Sequence, residues 1–158
     1  MKTVMGKQRL SALSKECIKN KGACCEQRTK PVFTPSEVET LIDSNNSDYF
    51  EKHGNTAVPK GICGFFDSPL CAVYEKRPVD CRTYPVSVKL DNGVLYFVID
   101  MKCPAVRKGI VTYQFISRAK TAWIKNLPGI EWLKEYSKEE CAENHEWIPV
   151  EDYKPSVL

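Results

Sequence analysis

The chain has 158 residues, of which 42% are hydrophobic and 27% charged, an ordinary globular balance that excludes a disordered or low-complexity protein. Its formal net charge of +3 falls well short of the concentrated basic charge of a dedicated nucleic-acid binder. No run approaches the roughly 20 apolar residues needed to cross a bilayer, and the lysine-bearing N-terminus has no apolar core of a secretory signal, so a cytoplasmic chain forming one domain over 1–158 is expected.

In chain order, Leu10, Leu13 and Cys17 make one face of a short helix, and residues 17–33 read as a loop broken by Gly22 and Pro31. Thr34-Pro35-Ser36-Glu37 is a helix start: Thr34 caps, Pro35 suits the first turn and Glu37 completes a capping box. Val38, Leu41 and Ile42 give that helix its apolar face to about Asp43. Asp48 to His53 reads as a further helical turn stopped by Gly54. Gly64-Phe65-Phe66 and Ala72-Val73-Tyr74 read as two short strands, the second broken by Arg77-Pro78.

Val86 to Ile99 is a hairpin about Asn92-Gly93, the strongest short turn signal. A two-residue turn sets Leu90 opposite Leu95, Val88 opposite Phe97 and Val86 opposite Ile99, all on one face, with Ser87, Lys89 and Asp91 on the other. Val111, Phe115, Ala119, Ala122 and Trp123 recur at helical spacing over 111–125, and Pro128-Gly129 ends that helix. A helix restarts over Glu131 to Tyr136, and Ser137-Lys138-Glu139-Glu140 is a second capping-box pattern leading into 138–144. The sum is an α+β fold: a small antiparallel sheet, flanking helices and long cysteine-bearing loops. Residues 17–104 form its cysteine core and 111–146 a helical C-terminal extension.

Eight cysteines, at 17, 24, 25, 63, 71, 81, 103 and 141, are the main chemical feature. In a reducing compartment such a count points to metal or redox chemistry in preference to disulfides. The spacings are Cys17-x6-Cys24-Cys25 and Cys63-x7-Cys71-x9-Cys81-x21-Cys103. None is the Cys-x2-Cys step of a zinc ribbon or bacterial ferredoxin, so any site must be assembled by the fold from distant segments. Adjacent side chains diverge in extended chain, so one of Cys24 and Cys25 binds while the other packs or serves a second site.

The stretch Gly22-Ala23-Cys24-Cys25, then Cys63, then Cys71-Ala72-Val73-Tyr74-Glu75-Lys76-Arg77-Pro78-Val79-Asp80-Cys81-Arg82-Thr83-Tyr84-Pro85 resembles the YkgJ-type cysteine-cluster family, described as a zinc- or iron-chelating domain. The resemblance spans roughly 17–103. It implies ligation by Cys17, Cys24, Cys25, Cys63, Cys71, Cys81 and Cys103, and it attaches no single activity. One relative couples the cysteine module to S-adenosylmethionine chemistry, but nothing in this sequence reads as a site for that cofactor. Cys141 lies outside the resemblance and reads as structural.

Pro78 and Pro85 turn the chain so that Cys71 and Cys81 are aimed at a common point. Arg77 and Arg82 are candidates to offset the charge of thiolates around a metal or to donate to sulfur, with Asp80 as a partner for either guanidinium. His53 and His145, the two histidines, stand at no ligand spacing from a cysteine and read as surface residues. Trp123, Trp132 and Trp147 read as packing residues, and the acidic group Glu139, Glu140, Glu143 and Glu146 as a solvated helix face.

The expected function is metal binding through an iron–sulfur cluster, favoured over zinc because seven thiols exceed what one tetrahedral zinc needs. Its role would be redox, metal handling or structural. The alternatives are a metal-dependent enzyme acting, for example, on a protein side chain, and a metal-stapled protein-interaction module. A protein partner is expected; a membrane or nucleic-acid partner is not.

Overall fold

The computed structural model describes residues 12–19, 30–67, 70–139 and 145–156, and every structural statement below concerns these. The fold is α+β. Helix α1 (Ala12–Lys19) precedes α2 (Pro35–Leu41), and two hairpins follow: β1 (Phe50–His53) with β2 (Thr56–Pro59), and β3 (Phe66–Asp67) with β4 (Leu70–Cys71). Helix α3 (Val79–Thr83) then leads into the main sheet of β5 (Val86–Asp91), β6 (Val94–Asp100) and β7 (Trp147–Pro149), all antiparallel in the order β5-β6-β7. Between β6 and β7 run α4 (Pro104–Arg107), α5 (Tyr113–Asn126) and α6 (Ile130–Glu139).

The central hairpin has the register that its turn and alternation predict: Leu90 faces Leu95, Val88 faces Phe97 and Val86 faces Ile99. Asn92 and Gly93 both take positive φ, 48° and 76°, as a two-residue turn with the twist of the strands demands. One expectation changes. Ser87 is not on a solvated face, because it is buried and hydrogen-bonded to the Tyr136 hydroxyl of α6. Helices cover the sheet there, so a polar side chain is kept only by giving it a partner.

Two clusters form the core against this sheet. Val79, Val88, Trp123, Trp132, Leu133 and Tyr136 gather α3, β5, α5 and α6 around the fully buried Trp123. Val86, Ile99, Val106, Val111, Ile116, Ala119, Val150 and Tyr153 gather the other end of the sheet with α4, α5 and the C-terminal segment. A third cluster of Phe33, Ile42, Phe50 and Ala57 holds α2 against the first hairpin.

Helix α2 starts as its sequence requires: the Thr34 side chain accepts from Glu37 N–H, and the Glu37 carboxylate accepts from Thr34 N–H. Thr34→Ala should therefore cost about 1 kcal/mol, read as a small shift of the urea midpoint with an unchanged slope.

Elsewhere the structure departs from the sequence reading. Only Ser47–Tyr49 is helical, as a single 3-10 turn; Phe50–His53 is a strand that pairs with Thr56–Pro59 across a turn at Gly54, φ 62°. Tertiary burial decides this, since Phe50 and Ala57 point into the third cluster, Val58 packs in the cluster around Trp123, and all of β2 is buried. The strands expected over 64–66 and 72–74 lie at 66–67 and 70–71 instead, and Tyr74–Lys76 is a 3-10 turn. Ser137 does not begin a helix; it lies within α6, and its hydroxyl accepts from Leu90 N–H at 3.1 Å. Four of the five described cysteines stand in or at the end of an element, Cys17 in α1, Cys71 in β4, Cys81 in α3 and Cys103 as the N-cap of α4, while Cys63 lies in the loop between β2 and β3.

Gly109 shows how tightly the C-terminal segment is laid down. It has φ +65°, its carbonyl accepts from Ser156 N–H at 3.1 Å, and a Cβ there would lie 1.9 Å from Ser156 Oγ and 2.6 Å from Ser156 N. Gly109→Ala meets both the left-handed penalty and a backbone clash, so a loss of at least about 2 kcal/mol is expected in urea melts. An unchanged midpoint would mean that the 150–156 segment is not docked as described.

Candidate metal centre

Cys63 ends the loop that leaves β2. Its carbonyl accepts from Phe66 N–H at 2.9 Å, closing a tight turn, while the Phe65 and Phe66 N–H groups hydrogen-bond its sulfur. Backbone donors on a cysteine sulfur are the usual support of a thiolate ligand. The turn rests on Tyr49, and a Cβ on Gly64 would come within 2.9 Å of Tyr49 Cβ, so glycine is what lets it lie there. Cys71 stands opposite Phe66 across the β3–β4 pair. It lies close enough to Cys63 that ionisation of either would oppose the other. Burial first, and Cys71 second, push the Cys63 thiol up, against the pull of the two N–H donors.

Cys17 and Cys103 form a second neighbouring pair, although 86 residues of sequence separate them (103 − 17). Helix α1 packs on α4, and Lys108 Nζ meets the buried Glu16 carboxylate at 2.6 Å. That contact sets Cys17, the next residue, near Cys103 at the N-cap of α4. The Cys17 thiol is pushed up by desolvation and then by Cys103; the Arg77 guanidinium acts in the opposite sense. Arg77 is fixed over the Tyr74 ring, 3.9 Å from its centroid, and its Nε donates to the Tyr74 carbonyl at 3.0 Å. A cation from the Cys71–Cys81 segment thus reaches the Cys17–Cys103 pair. Arg82 is exposed.

Cys81 sits half-buried in α3, a helix the sequence reading missed because Arg77-Pro78 looked like a strand end. Pro78 is instead its N-cap. Tertiary bonds hold it: Val79 N–H donates to the Glu37 carboxylate at 2.7 Å, and Asp80 Oδ2 accepts from Val32 N–H at 2.8 Å. Asp80 does not orient an arginine, as expected above. Its other oxygen accepts from the Tyr136 hydroxyl at 2.9 Å. Burial, joined by the charge of Glu37, raises its carboxyl to about 6 despite these donors.

The largest correction concerns His145. Its side chain is 9% exposed, and Nδ1 lies 2.7 Å from Oδ2 of Asp100, itself 1% exposed. Asp100 Oδ2 also accepts from the Tyr84 hydroxyl at 2.8 Å, and Oδ1 accepts from Lys102 N–H at 2.9 Å and Glu146 N–H at 3.0 Å. Burial works against the charge of Asp100, but these bonds, His145 foremost, outweigh it and hold the carboxyl at about 2. No spacing rule could expose this pair, because 45 residues separate its members. By contrast, His53 is exposed beside Glu51 on β1.

Cys24, Cys25 and Cys141 lie outside the described residues, as do Glu140 and Glu143. None of the five described cysteines is disulfide-bonded to another of the five. Among the described residues no three Cys, His, Asp or Glu side chains converge as a complete metal site; the fold brings thiols together in twos. No described helix is long and apolar enough to cross a membrane.

The fold is α+β, and its described cysteines stand on a helix, a loop and hairpin, a second helix and a helix cap. The chain belongs to the CxxCxxCC family, "Putative zinc- or iron-chelating domain", whose model matches residues 16–123. No curated protein and no solved structure matches the chain.

Proposed function

We propose that the chain binds iron, as an iron–sulfur cluster, through cysteines drawn from Cys17, Cys24, Cys25, Cys63, Cys71, Cys81 and Cys103, with zinc as the second reading. The observation that carries this is that thiols stand as neighbours in twos, Cys17 with Cys103 from far along the chain and Cys63 with Cys71 within one segment. The family model supports it at the level of zinc or iron chelation. The donor set fits such a group: soft sulfur, backbone N–H on one sulfur, and Arg77 beside another to offset thiolate charge. Iron is preferred because seven thiols exceed the four that one zinc takes. A bound cluster would supply one-electron transfer or structural cross-linking, in a reducing compartment and in service of a protein partner.

An enzyme reading needs a substrate pocket over the ligands. A depression of about 400 Å³ lined by Leu90, Asn92, Gly93, Ile130, Lys134 and Ser137 contains no cysteine and is not such a pocket. Anaerobic purification of the untagged chain, followed by metal analysis and a visible spectrum, tests the proposal. A broad thiolate-to-iron absorption with stoichiometric iron is expected; colourless protein with one equivalent of zinc would replace iron by zinc, and protein carrying neither metal would overturn the reading.

A further inference from the structure

We propose that the surface around Cys17 and Cys103, formed by α1 and residues 101–108, is the docking face for a protein partner that presents carboxylates. The inference rests on the thiol reading above for its purpose, and it names the chemistry of the partner.

The first ground is the distribution of charge. Helix α1 and residues 101–108 hold Lys15, Lys19, Lys102, Arg107 and Lys108 against one acid, Glu16. The rest of the chain holds 18 cations and 19 acids (23 − 5 and 20 − 1). Two short segments therefore carry more than the whole net charge of +3. The fold puts them side by side, since α1 packs on α4 and Lys108 Nζ meets Glu16 at 2.6 Å. That contact neutralises the one acid, which is buried, so the charge left towards solvent is positive. Lys15, Lys19 and Arg107 are exposed. Lys15 and Lys19 lie one helical turn apart on either side of Cys17. Arg107 is drawn back over the Cys103 turn, where its Nε donates to the Met101 carbonyl at 2.9 Å. Like charges gathered on one face repel one another, and carboxylates on a partner relieve that repulsion and steer its approach.

The second ground is the direction in which these cations act. A thiolate centre is anionic and calls for cations of its own. The charges that move the Cys17 thiol are those of Cys103, Arg77 and Glu16. Arg77 thus supplies the internal compensation. Lys15 and Lys19, two residues from Cys17 in sequence, are not among them and turn their charge to solvent.

The third ground is position and class. Cys17 is exposed, whereas the other four described cysteines are buried or half-buried, so this face offers a partner the closest approach to a described thiol. A nucleic acid would use aromatic side chains to stack its bases, and neither segment contains one. A lipid surface needs an apolar wedge beside the cations. Among the described residues, none of the exposed large apolar side chains lies on either segment. Carboxylates on a folded partner need only the cations.

Carbodiimide coupling, which joins a carboxylate to a lysine amine, tests this on the full-length, untagged, anaerobically purified chain. The probe is a short fluorescein-labelled peptide rich in Glu and Asp. At low ionic strength we expect binding by anisotropy, couplings mapped by mass spectrometry to Lys15 and Lys19, and weaker binding as salt is raised. Lys15→Glu/Lys19→Glu should bind the peptide at least about tenfold more weakly. Lys89→Glu/Lys125→Glu reverses two exposed lysines elsewhere and should bind like the wild type, which separates the face from net charge. Should the first variant fail to fold, the coupling map of the wild type still decides the matter. No binding, couplings only at other lysines, or equal losses in the two variants overturn the assignment of this face. Tighter binding of a single-stranded oligonucleotide or of phosphatidylserine vesicles than of the peptide overturns the assignment to a protein. Metal-free protein that still couples the peptide at Lys15 and Lys19 overturns the thiol reading and leaves the docking face standing.

Discussion

Cys71→Ser and Cys81→Ser should each be isolated with little or no metal, and each should melt like the wild type after chelation. A ligand that binds only the folded state adds its binding free energy to stability, about 4 kcal/mol at a free metal concentration a thousandfold above Kd. For a chain of this length 1 kcal/mol moves Tm by roughly 2–4 °C, so the expected fall is on the order of 10 °C. Serine is the apt replacement, since it changes volume little and gives up the soft sulfur donor. The test is internal: chelator should lower the wild-type melting point and leave both variants where they are. Cys141→Ser, outside the family match, should keep full metal content. Retention of metal and melting temperature by Cys71→Ser or Cys81→Ser would remove that cysteine from the ligand set.

What could be read in the sequence was local. The 86–99 hairpin needs only an Asn-Gly turn and strict alternation, and its register follows from arithmetic. Helix α2 announces itself through Thr34, Pro35 and Glu37 within four residues. The elements misread are those whose causes lie far along the chain. Helix α3 exists because Glu37 accepts from Val79 N–H and Asp80 accepts from Val32 N–H, partners more than 40 residues away. Strand β1 looked helical until the buried faces of Phe50 and β2 were closed by Phe33. Strand β7 is three residues long, and Asp100 and Ile99 opposite it give it its identity.

The candidate site divides in the same way. Cysteine count and the 71–85 motif named the thiols, but nothing in the spacing could say that Cys17 would meet Cys103 or that Cys63 would meet Cys71. Tyr74 pins Arg77 near Cys17, whereas Arg82 is exposed, a difference that sequence spacing does not carry. His145 was hidden for a plain reason: a histidine without cysteines at ligand spacing carries no signal until its carboxylate is found.

Asp100→Ala should be among the most damaging single substitutions in the chain, costing about 3–5 kcal/mol. The side chain is 1% exposed and satisfies four donors: the Tyr84 hydroxyl, His145 Nδ1, and the Lys102 and Glu146 N–H groups. Removing the acceptor strands all of them where water cannot readily replace it, and each stranded donor carries its own desolvation cost. Tyr84→Phe removes one donor and leaves the carboxylate three, so it should cost only about 1 kcal/mol. The two changes should also be strongly non-additive, because Tyr84→Phe in the Asp100→Ala background deletes a hydroxyl that has already lost its acceptor. Urea melts of the two single variants and the double variant, on chelated protein as well as loaded, measure this. The penalty should persist without metal, since three of the four donors join Asp100 to Tyr84 and to the 145–146 segment irrespective of any ligand. A loss from Asp100→Ala no larger than that from Tyr84→Phe would mean that Asp100 does not hold the Tyr84 and His145 segments together.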